Sequence, residues 1–349
     1  MKQSVRHTAL SPSENVGLAN KKQTGPASTG EAGTCPACGK TASYAPLEVF
    51  YEASLYACGN CDLHFWHPVT MPDGAWYEMA YQGRDQSRMP LEPGHRFFLA
   101  DTKAPKRGRL LDLGCGTGNF LAAARDAGFD VTGIEFDPAA VRFAQQHYGL
   151  TEVFALRPEQ FRKTRPEEYF DIVTFFEVLE HQDKPRQFLN LAKDLLAPRG
   201  FIALSVPNRC RWQNGIESLD YPPNHLTRWS PEALRNILEA EGFEILSMRQ
   251  ERLGSRRAAQ VLSMAMSTGL VSRVAGERPA TLADLAEMKP EEAQAAMKRA
   301  AEGRRHRMAA RLVQFKNMAI LPIASVLLPY FRFRGYTGLY LYCLARKKT

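Results

Sequence analysis

The sequence predicts an α/β fold on a parallel sheet, with a small metal-binding block before it and a helical insertion late in the chain. Three observations carry this. From Arg109 onward, short apolar runs of four to six residues alternate with helical stretches. Two Cys-x2-Cys pairs stand close together near the N-terminus. Residues 254–335 then break the rhythm with an Ala-, Met- and Arg-rich stretch. Apolar runs without strict alternation suit strands covered on both faces, and regular strand–helix order suits a parallel sheet.

Taken in order, residues 1–33 are rich in Ser, Thr, Asn, Gln, Lys and Gly without an apolar face, which predicts a disordered tail. Residues 34–68 form the cysteine block and 69–105 a connector wrapping onto the next domain. The core follows at 106–253, with strands at 109–113, 130–135, 170–176, 200–206 and 243–248 and helices near 118–127, 138–147, 185–196 and 231–241. The insertion at 254–335 precedes a last strand-like run at 338–345, within a final segment 336–349.

Length and composition set bounds. The chain has 349 residues, 44% hydrophobic and 23% charged, which excludes a disordered chain, a collagen-like fibre and a polytopic membrane protein. Its net charge of +8 suits an anionic partner without proving one. The longest mostly apolar run, 318–331, holds two prolines and is too short for a simple membrane span. No apolar signal segment opens the chain, and seven cysteines are too few for a disulfide scaffold. The expected location is the cytoplasm.

Cys35, Cys38, Cys58 and Cys61 form two knuckles 19 residues apart. A two-residue gap lets both thiolates of a pair face one ion, and four thiolates suit a structural Zn²⁺. The block resembles a zinc ribbon. His64 and His67 lie nearby but read as surface or packing residues, and Cys115, Cys210 and Cys343 are left without a pairing.

The most informative stretch runs from Leu110 to Leu121. An apolar strand ends in a turn with Gly114, Gly116 and Gly118 and opens a helix, the place where an open α/β sheet binds its ligand. Asn119 stands where a dinucleotide fingerprint would need glycine, and Asp112 sits two positions before the first glycine. This pattern resembles motif I of the class I S-adenosylmethionine (SAM) methyltransferases. Glu135 ends the next strand, 21 residues after Gly114, where a carboxylate can hold both ribose hydroxyls. Asp137 before Pro138 reads as a helix N-cap. The run from Phe170 to His181 is similar to the fourth-strand motif of a subgroup that includes ubiquinone-biosynthesis O-methyltransferases and bacterial sugar or lipid methyltransferases. The segments 196–208 and 225–243 resemble the continuation of that subgroup, except that Arg199 stands where glycine is commoner.

The resemblance covers about 105–250 and 336–346. It implies a Rossmann-like seven-stranded methyltransferase sheet whose last strand inserts antiparallel. It also implies SAM bound by Asp112, Gly114, Cys115, Gly116, Gly118, Glu135, Phe136 and Phe176. No clear acid follows the third strand for the adenine amine, which leaves backbone or Glu159.

Methyl transfer from a sulfonium is an in-line displacement, so orientation of the acceptor is the main task. A hydroxyl acceptor also needs a base, and histidine titrates in the right range. His181 is the first candidate and His225 the second, with Glu177 and Glu180 beside them to orient a histidine or help bind a metal. The resemblance implies a small-molecule, sugar or lipid-linked acceptor, methylated at oxygen. An RNA methyltransferase with a zinc recognition module is the alternative, less favoured because no RNA-module signature is present. The interval 251–316 carries 13 Lys+Arg against seven Asp+Glu, directly before the apolar run. That pairing predicts a peripheral contact with an anionic membrane or a lid over an amphipathic acceptor. The sequence leaves the oligomeric state open.

Overall fold

The structure is a computed structural model that describes residues 33–41, 45–71, 90–211, 220–265 and 304–348. The tail at 1–32, part of the connector (72–89) and the middle of the insertion (266–303) lie outside the described residues.

Strands alternate with helices as the apolar runs require. The cysteine block supplies β1 (Glu48–Phe50), β2 (Ala53–Ala57) and β3 (His64–His67). Helix α1 (Pro93–Ala100), absent from the sequence reading, lies in the connector. The core then runs β4 (Gly108–Leu113), α2 (Asn119–Asp126), β5 (Phe129–Glu135), α3 (Pro138–Tyr148), β6 (Val153–Ala155), α4 (Pro158–Thr164) and β7 (Phe170–Phe176). It continues with α5 (Pro185–Asp194), β8 (Leu196–Pro207), β9 (Thr227–Arg228), α6 (Pro231–Ala240) and β10 (Phe243–Arg252). Helices α7 (Ser255–Ala265) and α8 (Arg304–Phe333) and strand β11 (Thr337–Lys347) follow.

Seven strands form one sheet in the order β10-β11-β8-β7-β4-β5-β6. The first five core strands pair in parallel, while β11 inserts antiparallel between β8 and β10, as the resemblance implies. Alternate side chains serve two cores. Leu110, Ile172, Ala203 and Tyr342 face one, shared with Phe98 of α1, Phe120 of α2 and Val141 of α3. Leu111, Val173, Leu204 and Cys343 face the other, shared with Phe161 of α4, Phe188 of α5 and Leu234 of α6. Burial on both faces explains why the runs read as continuous apolar text.

Helix starts follow local chemistry. The Asp137 carboxylate accepts from the N–H of Ala139 at 2.7 Å, Pro138 occupies the first turn of α3, and the helix stops at Gly149 in a left-handed conformation. Ser230 caps α6 by accepting from the N–H of Ala233 at 3.0 Å.

Two features go beyond the sequence reading. The boundary drawn at residue 68 is bridged, because β9 pairs antiparallel with β3 and completes a four-stranded sheet β1-β2-β3-β9. Cys35, Cys58, Cys61 and Phe65 accordingly share one core with Trp229 and Leu234. The apolar run 318–331 lies within the continuous helix α8, with Pro322 and Pro329 inside it. α8 packs on α7 and the turn before it, with Ile320, Ala324 and Phe331 in one cluster with Leu253, Ala258 and Ala259.

Candidate active site

β4, β5 and β7 end side by side, and their C-terminal loops open into one cleft of about 530 Å³. One half is built by the glycine turn. Gly114, Gly116 and Gly118 all have positive φ. At Gly118 a side chain would also strike Ala144 and Leu150, so glycine there lets α2 approach α3. At Gly116 a Cβ would meet no atom within 4 Å, which leaves the turn's backbone open to a ligand.

Glu135 closes this half. One carboxylate oxygen accepts from the N–H of Gly116 at 2.9 Å, the other from Phe136 at 2.8 Å and Asp137 at 3.1 Å. A carboxylate has about four acceptor positions, so one remains, on Oε2, for a ribose hydroxyl. Burial raises its pKa, against the pull of the three N–H groups. Asp112 is buried beneath the turn and accepts from the Thr174 hydroxyl at 2.6 Å. Burial pushes its carboxyl up to about 7, with the Glu135 charge adding and the Thr174 hydrogen bond opposing. Thr174 was not legible beforehand, because only the pairing of β4 with β7 sets it opposite Asp112.

Phe136, Phe176 and Cys115 also line the cleft. Phe176 is packed 4.9 Å from both Phe120 and His95, which ties α1 to the cofactor half. Burial raises the Cys115 thiol well above its ordinary value, so it serves as a small apolar wall. Glu159, in the first turn of α4, lines the same cleft and is exposed.

The other half gathers acids and histidines. Glu177 follows β7 at positive φ and accepts from the Ser205 hydroxyl at 2.7 Å; burial pushes it up to about 8. Glu180 is fully buried, neither of its oxygens has a hydrogen-bond partner, and burial holds its pKa well above the ordinary range. His181 donates Nδ1–H to the Asn224 carbonyl at 2.5 Å, leaving Nε2 as an acceptor 3.8 Å from Glu180. Burial, then His225, lowers its pKa to about 3, so it stands neutral. His225 has its ring 5.0 Å from His181 and its Nδ1 3.5 Å from Asp220. Asp220 in turn takes Arg211 and Arg228. Glu180, His181 and His225 bring one ligand atom each within 4.8 Å of one another, a spacing that also fits a divalent cation. Glu92 and Tyr340 complete this wall. Neither was singled out from the sequence, since α1 and the antiparallel β11 reach the cleft only through the folded sheet.

The four cysteines meet as a separate cluster. Cys35 and Cys61 sulfurs are 3.6 Å apart, as are those of Cys38 and Cys58. Four sulfurs about 2.3 Å from one ion would be about 3.8 Å apart, and a disulfide would need about 2.05 Å, so the spacing fits a tetrahedral metal site. Hydrogen bonding from Cys61 lowers the Cys35 thiol to about 5, which favours a thiolate. Among the described residues no histidine joins this cluster.

The strand order with its antiparallel insertion, the glycine turn and the strand-end acid define a Rossmann-like methyltransferase fold. Comparison with known proteins agrees. Residues 81–248 match the profile of a methyltransferase-domain family. The ubiquinone biosynthesis O-methyltransferase of Pasteurella multocida is 27% identical over 200 residues, covering 48% of this chain and 82% of that protein. The protein of the same name from Bordetella avium is 34% identical over 104 residues, 29% of this chain and 43% of that one. A SAM-dependent methyltransferase from Geobacter sulfurreducens in complex with S-adenosyl-L-homocysteine aligns over 80% of this chain and 100% of its own, at 14% identity and a TM-score of 0.44. The chain spans 38% of the first Schizosaccharomyces pombe relative and about half, 51%, of the Thiobacillus denitrificans one. A methyltransferase domain is thus matched over residues 81–248, just under half of the chain, on a fold of the class I SAM-dependent methyltransferase kind.

Proposed function

We propose that the protein transfers a methyl group from SAM to a hydroxyl oxygen of a small organic acceptor. The observation that carries the reading is the single cleft joining the glycine turn and Glu135 to the His181–His225 pair. SAM, when bound, supplies an electrophilic methyl on a sulfonium. The glycine turn and Glu135 hold the cofactor, and Phe136 with Leu156 offers apolar walls beside it. The acceptor half orients the hydroxyl and takes its proton. His225, with Asp220 beside its Nδ1, is placed to act as the base; His181, held neutral by burial, positions the acceptor. Glu92, Glu177 and Glu180 line this half with carboxyls that burial pushes towards the neutral form, and Asp220 is paired with Arg211 and Arg228, so the acceptor part that enters it is uncharged.

The test is transfer of labelled methyl from SAM into fractionated RNA, lipid and soluble metabolites, with His225→Ala in parallel. Incorporation into the soluble or lipid fraction should fall 10²–10⁴-fold in the variant, the usual contribution of a general base. Its affinity for S-adenosylhomocysteine should stay the same by calorimetry. Label appearing only in RNA would overturn the reading.

A structural zinc on Cys35, Cys38, Cys58 and Cys61 is part of this proposal, supported by the sulfur spacing. So is a peripheral contact with an anionic membrane, supported by α8. Its face away from α7 exposes Met318, Ile323, Val326, Leu327, Tyr330 and Phe333, with Val326 79% and Phe333 88% exposed. The helix carries Arg304, Arg305, Arg307, Arg311, Lys316 and Arg332 and no acid. Among the described residues no helix is long and apolar enough to cross a membrane, so the contact is with the surface.

A further inference from the structure

We propose that the four-cysteine block positions the acceptor half of the cleft: through Trp66 and Asp62 it fixes the segment 220–230, which carries Asp220, Asn224 and His225. The inference rests on the reading that this half receives the acceptor.

Trp66, on β3, is buried, and it grips the segment twice. Its indole N–H donates to the Asp220 carbonyl at 2.9 Å, and its backbone N–H donates to the Leu226 carbonyl at 3.0 Å. Its ring lies 5.5 Å from Tyr221, which also packs 4.5 Å from Phe50 of β1. Asp62 directly follows the fourth cysteine. Its carboxylate accepts from Arg209 at 2.5 Å and from the hydroxyl of Ser230, the residue that caps α6. Asn236 of α6 donates to the Cys61 carbonyl at 3.3 Å.

The segment passes these constraints on to the site. Leu226 N–H donates to the Glu180 carbonyl at 2.9 Å, and the Asn224 carbonyl takes the His181 Nδ1–H at 2.5 Å. The Trp66 contact with Asp220 and the Leu226 contact with Glu180 reach the acceptor half directly, while those of Asp62 and Cys61 hold Arg209 and the start of α6 behind it. None of these hydrogen bonds goes to the glycine turn or to Glu135. A small ribbon depends on its metal for order, so metal occupancy at the four thiolates should be felt at His181 and His225 and not at the cofactor turn.

Trp66→Phe in the full-length protein tests the link: it keeps an aromatic ring and all four thiolates while removing the indole N–H and part of the buried ring volume. The measurements are zinc content, calorimetric affinity for S-adenosylhomocysteine, amide hydrogen exchange by segment, and the downfield imidazole proton of His181 by NMR. Zinc should stay at the wild-type level and cofactor-product affinity within about twofold. Exchange across 220–230 should rise at least tenfold while that of 108–118 is unchanged, and the His181 signal should broaden or vanish. Zinc-stripped full-length protein should show the same segmental pattern, reversed on adding zinc. If Trp66→Phe folds poorly, Asp62→Ala takes its place with the same expectations.

Unchanged exchange at 220–230 in both the variant and the stripped protein would overturn the proposal. So would an increase spread equally over 108–118, since that is general destabilisation. Failure of the wild type to bind S-adenosylhomocysteine would instead defeat the methyltransferase reading, and the exchange comparison would still decide the coupling.

Discussion

At the scale of single residues, two buried carboxylates govern the cofactor half and differ in what removing them should do. Glu135 ties the glycine turn to the end of β5 through three N–H groups and has capacity left for a ligand. Glu135→Gln should weaken S-adenosylhomocysteine binding by about 1–3 kcal/mol, the usual worth of a charged hydrogen bond. Equal affinity by calorimetry would take Glu135 out of the site. Asp112 answers to pH. Its carboxyl titrates near 3.8 when unfolded and near 7 in the fold, so the native state holds the extra proton between those values. Stability from this group is therefore full below about pH 4 and is lost as pH rises towards 7, with a slope of at most about 1.4 kcal/mol per pH unit. Asp112→Asn should flatten that part of the melting-temperature profile of the ligand-free protein, so that wild type and variant diverge between pH 4 and 7. Both acids were legible in the sequence, because each is fixed by its count from the glycines at a strand end. Thr174, Asp220 and Asn224 were not, because their roles come from partners 43 to 154 residues away.

Among the elements, the cysteine block and α8 make opposite demands. The block has three short strands and depends on β9 for a fourth. Elemental analysis of gently purified protein should find one zinc per chain, lost in Cys35→Ser/Cys58→Ser; a metal-free wild type would refute the site. α8 has too much apolar surface for the partner it has, burying Ile320, Ala324 and Phe331 while leaving Val326 and Phe333 in solvent. Co-sedimentation with vesicles containing anionic lipid should be seen at low salt and weaken as salt screens the arginines. It should be lost in Val326→Asp/Phe333→Ser. No sedimentation of the wild type at low salt would leave a soluble acceptor as the sole reading. The sequence showed the apolar run beside basic charge, but the two prolines hid the helix continuity. Pro322 and Pro329 lie within α8, a position that sequence rules treat as a break.

For the molecule as a whole, strand order was legible and sheet sharing was not. Apolar runs spaced by helices give the parallel core directly, and the family resemblance implies the antiparallel return of β11. The pairing of β3 with β9 has no such signature: β9 is two residues long, too short for any periodicity. That β11 lies inside the sheet has a consequence for the timing of synthesis. In the seven-stranded sheet β10 touches no strand but β11, and β8 has β11 on its outer side. A nascent chain that has reached residue 336 therefore holds β8 with one bare edge and β10 with no neighbour at all. Tyr340, a wall of the cleft, has not yet been made. Everything through β11 must leave the ribosome before the acceptor half can exist, and until then the unpaired edges of β8 and β10 are open to other chains.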